Sequence, residues 1–176
     1  RLMLGTMIFV LMLNILLRQG WIGAVKQIIG CDFVALYSAG KLFQQDSNSL
    51  YDFHKQGDIQ RQLLAPTPFK GIMPFYYPPY VAQALGILTK LPLVKAFIVW
   101  SLLTISCVIL AVYWISKYLV PTWLRDQGLT YFQLLVITCS FFPFIEGLQV
   151  GQNHGLTLLL LTGVVIFSLR EKWFWA

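Results

Sequence analysis

The sequence predicts an all-α, multi-spanning integral membrane protein, and three observations support this fold class. Of its 176 residues, 57% are hydrophobic and only 11% are charged. The mean hydropathy of +0.68 lies above the range of ordinary soluble domains. Long apolar segments alternate with shorter stretches that carry Lys and Arg. Together these features exclude an ordinary soluble domain.

Five apolar segments are predicted membrane helices. About 20 apolar residues, rising about 1.5 Å each, cross a hydrocarbon core of about 30 Å. The five segments are residues 2–17, 80–91, 96–116, 129–145 and 155–169. The segment at 80–91 is short enough to be re-entrant or interfacial instead of spanning. Because the chain starts at Arg1 with an apolar run, we expect a single membrane domain that is a piece of a longer protein.

Residues 18–79 form a long loop outside the hydrocarbon, with charged, Gly and Pro residues throughout. Phe33, Leu36, Tyr37 and Gly40 recur in it at helical spacing. They predict a short amphipathic helix with Asp32 at its N-terminal end, where Asp32 is either a catalytic group or the helix N-cap.

A second amphipathic helix is predicted over residues 51–65. Its apolar stripe consists of Phe53, Ile59 and Leu63, and such a helix commonly lies at a membrane interface. The prolines that follow force an extended backbone through the aromatic run at 75–77.

The net charge of +6 comes from basic residues that never form a run, so a nucleic-acid partner is not indicated. Short cytoplasmic loops of membrane proteins are enriched in Lys and Arg. Lys117 and Arg125 mark one such loop, and Arg170 and Lys172 mark the next loop but one. The basic residues therefore indicate membrane topology.

The loop at 146–154 lies between these two cytoplasmic loops and is predicted to face the other side of the membrane. Asp32 shares that side if the segment at 80–91 does not cross, and we favour the non-crossing topology. This places Asp32 and residues 151–154 on one extracytoplasmic surface.

Four short motifs, in this order and spacing, resemble those of a known family. They are Asp32-Phe33 with Tyr37, Leu50-Tyr51-Asp52, Tyr77-Pro78-Pro79, and Gly151-Gln152-Asn153 before an apolar helix. Over residues 30–169 the chain resembles the amino-terminal part of the family 87 glycosyltransferases of the GT-C class. This former domain of unknown function includes polyprenol-phosphate-mannose-dependent mannosyltransferases.

The resemblance implies an enzyme of the bacterial inner membrane that transfers a hexose, mannosyl-like, with inversion. Its donor would be a polyprenyl-phosphate-linked sugar, and its acceptor an extracytoplasmic lipid or glycan. In GT-C enzymes an acidic residue of the first extracytoplasmic loop is the usual base, and Asp32 matches it. The candidate substrate-binding residues are Tyr37, Asp52, Tyr77, Gln152, Asn153 and His154.

The chemistry of the residues agrees with this assignment. Inverting transfer needs one base for the acceptor hydroxyl and stabilisation of the phosphate leaving group. Asp32 is the candidate base, while Lys41, Arg61 and Lys70 are equal candidates for the phosphate. The loop has no Asp-x-Asp motif, so we expect no metal ligand set and no cofactor, although some GT-C enzymes use a divalent metal.

Several candidates also have a structural interpretation. Asp52 can cap a helix, and Tyr77 with the two prolines after it can fix the entry into one. Residues 151–154 can be a plain loop, although polar groups at membrane depth are costly unless they are satisfied or functional. Glu146, after Pro143, is predicted to mark a helix end.

Two other functions are compatible with the sequence. A transporter or flippase would line its path with intramembrane polar residues such as Asn14, Gln133 and Gln152. The long aromatic loop and the spans without acidic residues argue against it. The other is a noncatalytic membrane subunit that holds a partner through the loop.

Overall fold

A computed structural model describes residues 28–170, which are helical with no β-strand among them. The predicted span at 2–17 and Lys172 lie outside the described residues. The helices are α1 (Cys31–Gln45), α2 (Phe53–Leu64), α3 (Pro79–Leu85), α4 (Leu93–Trp114), α5 (Thr122–Asp126), α6 (Tyr131–Ser140), α7 (Phe142–Val150) and α8 (His154–Leu169). Short 3₁₀ turns at Ser47–Ser49 and Leu88–Lys90 and a π-turn at Ile115–Leu119 join some of them.

The chain divides into two compact units. In the described range, the loop unit comprises residues 28–100 and 149–152, and the apolar unit comprises residues 101–148 and 153–170. Helix α4 contributes its first residues to the loop unit and the others to the apolar unit.

Helix α1 is the centre of the loop unit. Residues 33–40 are all buried, because α2, α3 and the start of α4 pack around the helix. The ring of Phe33 lies 5.5 Å from that of Phe97 and 6.0 Å from that of Trp100. The prediction of a single apolar stripe on α1 is therefore wrong, since neighbouring elements cover more than one face of this helix.

Two glycines set the close approach of α1 to α3. A Cβ atom on Gly40 would lie 3.1 Å from the backbone of Gly86 and Leu85. Helix α3 has seven residues and ends at Leu85, so the predicted segment at 80–91 is broken near Gly86. A helix of this length is about 10 Å long, which favours the non-crossing topology.

Helix α2 lies within the predicted range of residues 51–65, but it buries a different face. Phe53 of the predicted stripe is half exposed, whereas Gln56, Gly57, Gln60 and Leu64 are buried. Buried glutamines need hydrogen-bond partners, and these partners decide which side of the helix turns inward.

The apolar unit contains the longest apolar helix of the described chain. Helix α4 and its π-turn, Leu93–Leu119, have 27 residues and are long and apolar enough to cross a membrane. Helices α6 and α7 meet that test only as a pair, and α8 is shorter. The described residues thus contain one such helix, or two if the pair is one span, and the multi-spanning architecture stays a prediction.

Helices α6 and α7 replace the single helix predicted at 129–145, and a bend of 65° separates them. Pro143 explains the break, because its ring would clash with the carbonyl four residues earlier in a continuous helix. Helix α7 then continues to Val150. Glu146 therefore lies inside a helix, and the prediction that it marks a helix end is wrong.

Candidate active site

Asp32 lies in the first turn of α1, partly buried, and it is not the N-cap. The N-cap is Gly30, whose φ of 72° is in the left-handed region, and its N–H donates to the Gln149 carbonyl at 2.8 Å. The cap interpretation of Asp32 is therefore wrong. The Asp32 carboxylate therefore makes no capping hydrogen bond to α1.

The thiol of Cys31 is the partner of this carboxylate within the described part of the chain. Its Sγ donates to Asp32 Oδ1 at 3.6 Å. Burial, and then the negative charge of Asp32, raise the pKa of the Cys31 thiol to about 11. At neutral pH the thiol therefore stays protonated and remains a donor to the carboxylate.

A cavity of about 380 Å³ opens beside Asp32, within the size range of small-molecule sites. Helix α1, the segment at 72–77 and the loop after α7 form its walls. Its lining residues are Asp32, Ala35, Leu36, Ile72, Met73, Pro74, Tyr76, Tyr77 and Gln152. The structure thus brings together three predicted site residues, Asp32, Tyr77 and Gln152, that are far apart in sequence.

Two fully buried glutamines of α2 hold the wall at 72–77, and we call them the glutamine clamp. The Gln60 amide accepts from Met73 N–H at 2.8 Å and donates to the Met73 carbonyl at 2.6 Å. The Gln56 amide accepts from Phe75 N–H at 3.0 Å and donates to the Leu50 carbonyl at 2.6 Å. The clamp therefore binds main-chain atoms and satisfies buried polar groups.

Removing the clamp should destabilise the protein. We expect Gln60→Ala to lower the free energy of unfolding by about 2–4 kcal/mol, because the N–H and carbonyl of Met73 lose their partner. Thermal unfolding in detergent measures the loss. The matched control is Gln62→Ala on the exposed face of the same helix, which should change stability by less than about 0.5 kcal/mol. Equal losses in the two variants would contradict the clamp.

The loop that carries Gln152 is held at Gly151. Trp100 Nε1 donates to the Gly151 carbonyl at 2.9 Å. Gly151 has a φ of 81°, and a Cβ atom there would lie 2.6 Å from Phe33 Cβ. A glycine is therefore required where the loop meets the first turn of α1, and this contact positions Gln152 at the cavity.

Tyr37 and Asp52 lie away from the cavity lining. Tyr37 is buried, its hydroxyl donates to the Leu91 carbonyl at 2.7 Å, and burial raises its pKa. Asp52 caps α2, where its carboxylate accepts from the N–H groups of His54 at 2.9 Å and Lys55 at 3.2 Å. Their positions support structural roles, as the alternative interpretation of Asp52 predicted.

Asn153 and His154 belong to the apolar unit. Asn153 precedes α8 without a side-chain cap hydrogen bond, and the His154 ring packs edge-on against Phe144 at 5.0 Å. Both imidazole nitrogens are buried and lack a hydrogen-bond partner within the described residues. Neither residue lines the cavity beside Asp32.

The predicted phosphate ligands lie outside this cavity, and Gln133, predicted to line a transport path, caps a helix. Lys41, Arg61 and Lys70 do not line this cavity, and Arg61 pairs with Asp58 at 2.6 Å. Gln133, the polar residue that would line a transport path, instead completes a capping box with Thr130 at the start of α6. In the described part of the chain no three His, Cys, Asp or Glu residues group as metal ligands, and the cofactor prediction stays untested.

Sequence reasoning missed Tyr76 as a site residue. Phe75 is 1% exposed and Tyr76 is 76% exposed, so neighbouring residues of the wall point to opposite sides. This alternation is the signal of an extended segment with one buried face. The prolines that impose an extended backbone on this segment were the sequence signal for such alternation.

These observations define the class of protein as a helical membrane protein with a polar ligand cavity. The chain is all-helical in its described part, has a helix long enough to cross a membrane, and carries a cavity lined by a carboxylate, an amide and two phenols. Hydroxyl-rich ligands are the partners that such groups bind by hydrogen bonds.

The family follows from comparison with protein-family models. The model of glycosyltransferase family 87 matches residues 75–176, more than half of the chain, and the chain belongs to this family. The predicted family is thereby confirmed, and with it a membrane glycosyltransferase function in general. Tyr76, Tyr77 and Gln152 lie within the matched residues, whereas Asp32 precedes them. Neither the curated proteins nor the solved structures gave a match.

Proposed function

We propose that the protein is a GT-C type glycosyltransferase that moves a hexose, mannosyl-like, from a polyprenyl-phosphate carrier to an extracytoplasmic lipid or glycan acceptor with inversion. The observation that carries the proposal is the position of Asp32. Asp32 lines a cavity that Tyr77 and Gln152 also line. One carboxylate beside hydroxyl-binding groups is the minimum that inverting sugar transfer requires of a base site.

In the proposed reaction Asp32 takes the proton of an acceptor hydroxyl as that oxygen attacks the anomeric carbon. The new carbon–oxygen bond forms on the face opposite the departing phosphate, so the configuration inverts. The bond between the anomeric carbon and the phosphate oxygen breaks, and polyprenyl phosphate leaves with its electron pair. In this proposal the Gln152 amide and the Tyr77 hydroxyl, both of residues that line the cavity, orient sugar hydroxyls.

The extracytoplasmic location is supported by basic residues in the apolar unit. The Arg170 guanidinium lies 4.3 Å from the centre of the Tyr118 ring, and Lys117 Nζ lies 5.2 Å from the same ring. Arg125 donates to the Lys117 carbonyl at 2.9 Å. The two loops predicted to be cytoplasmic thus meet at the C-terminal end of α8. Asn153, next to Gln152 in sequence, precedes the opposite end of α8, which supports an extracytoplasmic side for the Gln152 loop.

The test is a transfer assay with full-length protein in proteoliposomes. We expect radiolabelled hexose to move from polyprenyl-phosphate hexose to an added glycan or glycolipid acceptor. NMR of the product should show the anomeric configuration opposite to that of the donor. Nucleotide sugars added without the lipid carrier should give no product. Transfer from nucleotide sugar alone, or retention of configuration, would overturn the proposal.

A further inference from the structure

Tyr76 is the most exposed large aromatic residue in the described chain, although buried side chains hold the main chain just before it. The glutamine clamp fixes the main chain at Met73 and Phe75, immediately before Tyr76. The ring packs edge-on against Phe53, with ring centres 6.4 Å apart and an angle of 86°. An edge-on contact covers at most one face of the Tyr76 ring, and the residue is 76% exposed while it lines the cavity. A buried framework therefore presents an aromatic face to a ligand.

The groups around this face have a definite chemistry. Asp32, Gln152 and the Tyr77 phenol supply hydrogen-bonding groups, while Met73 and Pro74 supply apolar contact beside the Tyr76 ring. A pyranose ring has the matching pattern, with apolar C–H faces and hydroxyl groups around its edge. The charge of Asp32 would repel a phosphate at the same position and favours a neutral hydroxyl. The cavity thus suits the sugar part of a substrate.

We propose that Tyr76 is the stacking platform of a hexopyranose subsite, and that the glutamine clamp holds it beside Asp32. One C–H face of the sugar lies on the Tyr76 ring, and its hydroxyl edge reaches the Gln152 amide and the Tyr77 hydroxyl. The sugar belongs to the acceptor or to the donor, since both present the same chemistry. This inference rests on the proposed function, because it names a subsite of that reaction.

A membrane surface is the competing occupant of exposed aromatic residues. The neighbouring helix argues against it, because Phe53 lies at the start of α2 and the outward face of α2 is charged. Lys55, Asp58 and Arg61 are all exposed on that helix. The Lys55 ammonium pairs with the Asp46 carboxylate at 2.9 Å. These exposed ion pairs favour contact with water over burial among lipids, which suits a sugar site.

The test compares Tyr76→Ala and Tyr76→Phe with Tyr80→Ala, the matched control. Tyr80 is 69% exposed and does not line the cavity. In the transfer assay with each substrate varied separately, Tyr76→Ala should raise the KM of one substrate about 3- to 10-fold, with kcat within about 2-fold. Tyr76→Phe keeps the ring and should restore the parental KM. Tyr80→Ala should leave both constants unchanged.

The outcomes distinguish an acceptor sugar, a donor sugar and a membrane surface as the occupant of the Tyr76 face. A raised acceptor KM assigns the subsite to the acceptor, and a raised donor KM assigns it to the donor. Unchanged KM values in Tyr76→Ala overturn the inference. An equal loss of transfer in Tyr76→Ala and Tyr80→Ala also overturns it, because a loss shared by both exposed tyrosines indicates a membrane-facing aromatic surface instead of a sugar subsite.

Direct binding keeps this inference distinct from the proposed transfer reaction. Saturation-transfer NMR of the full-length protein with methyl manno-, gluco- and galactopyranosides should give signals from at least one sugar. Those signals should weaken in Tyr76→Ala and persist in Tyr80→Ala. If transfer is absent while this pattern is found, the proposed reaction fails and the subsite stands. If none of the three sugars binds, the subsite is overturned.

Discussion

Asp32→Asn should reduce sugar transfer by about 10²- to 10⁴-fold, the usual contribution of a general base. The amide keeps nearly the shape of the carboxylate but cannot accept the acceptor's proton. Because Asp32 lies in the first turn of α1 without capping it, the variant should fold as the parent does. Initial rates at saturating donor and acceptor measure the effect, which should appear in kcat more than in KM.

Asp58→Asn is the matched control for this substitution. Asp58 is an exposed carboxylate of the same loop unit, and it pairs with Arg61 at the surface, away from the cavity. An exposed ion pair contributes little, so the control should keep the parental rate and stability. Parental turnover in Asp32→Asn would remove the base assignment, and equal losses in both variants would show that general charge matters instead.

Gly151→Ala should lower the free energy of unfolding by about 2–5 kcal/mol. About 1–2 kcal/mol comes from the left-handed backbone at φ 81° and about 1–3 kcal/mol from overpacking. The new Cβ would meet Phe33 Cβ at 2.6 Å and Phe33 N at 3.2 Å, and a helix backbone cannot move away easily. Thermal unfolding in detergent measures the loss. Transfer should fall as well, because the loop carrying Gln152 is displaced.

Gly128→Ala separates the two causes. Gly128 has a φ of 89°, and a Cβ atom there would meet nothing within 4 Å. This control therefore carries the backbone strain without the collision, and it should lose only about 1–2 kcal/mol. If the two variants lose the same stability, the contact between Gly151 and α1 does not hold Gln152 in place.

The sequence predicted helices well where apolar length decides the structure. The segment at 96–116 corresponds to α4, and that at 155–169 corresponds to α8. Faces and breaks were harder to predict. The inward face of α2 carries Gln56 and Gln60, because these amides bind main-chain atoms of Phe75 and Met73, which lie 19 and 13 residues away in sequence. Hydrophobicity alone assigns such residues to the surface.

The candidate site was predicted in part. Asp32, Tyr77 and Gln152 meet at one cavity, as expected from motifs that resemble a family, although their roles stay proposals. Tyr37 does not line this cavity and its buried hydroxyl donates to the Leu91 carbonyl, so its substrate-binding role stays a prediction. The position of this hydroxyl depends on tertiary packing, which helical spacing does not contain.

The glutamine clamp has a consequence for how substrate preference could change. Gln56 and Gln60 bind main-chain atoms of Met73 and Phe75, much as an adjacent strand would. The side chains of Ile72 and Tyr76 take no part in these bonds, so they can be exchanged while the backbone keeps its path. This arrangement makes the wall a convenient target for directed evolution toward other carbohydrates.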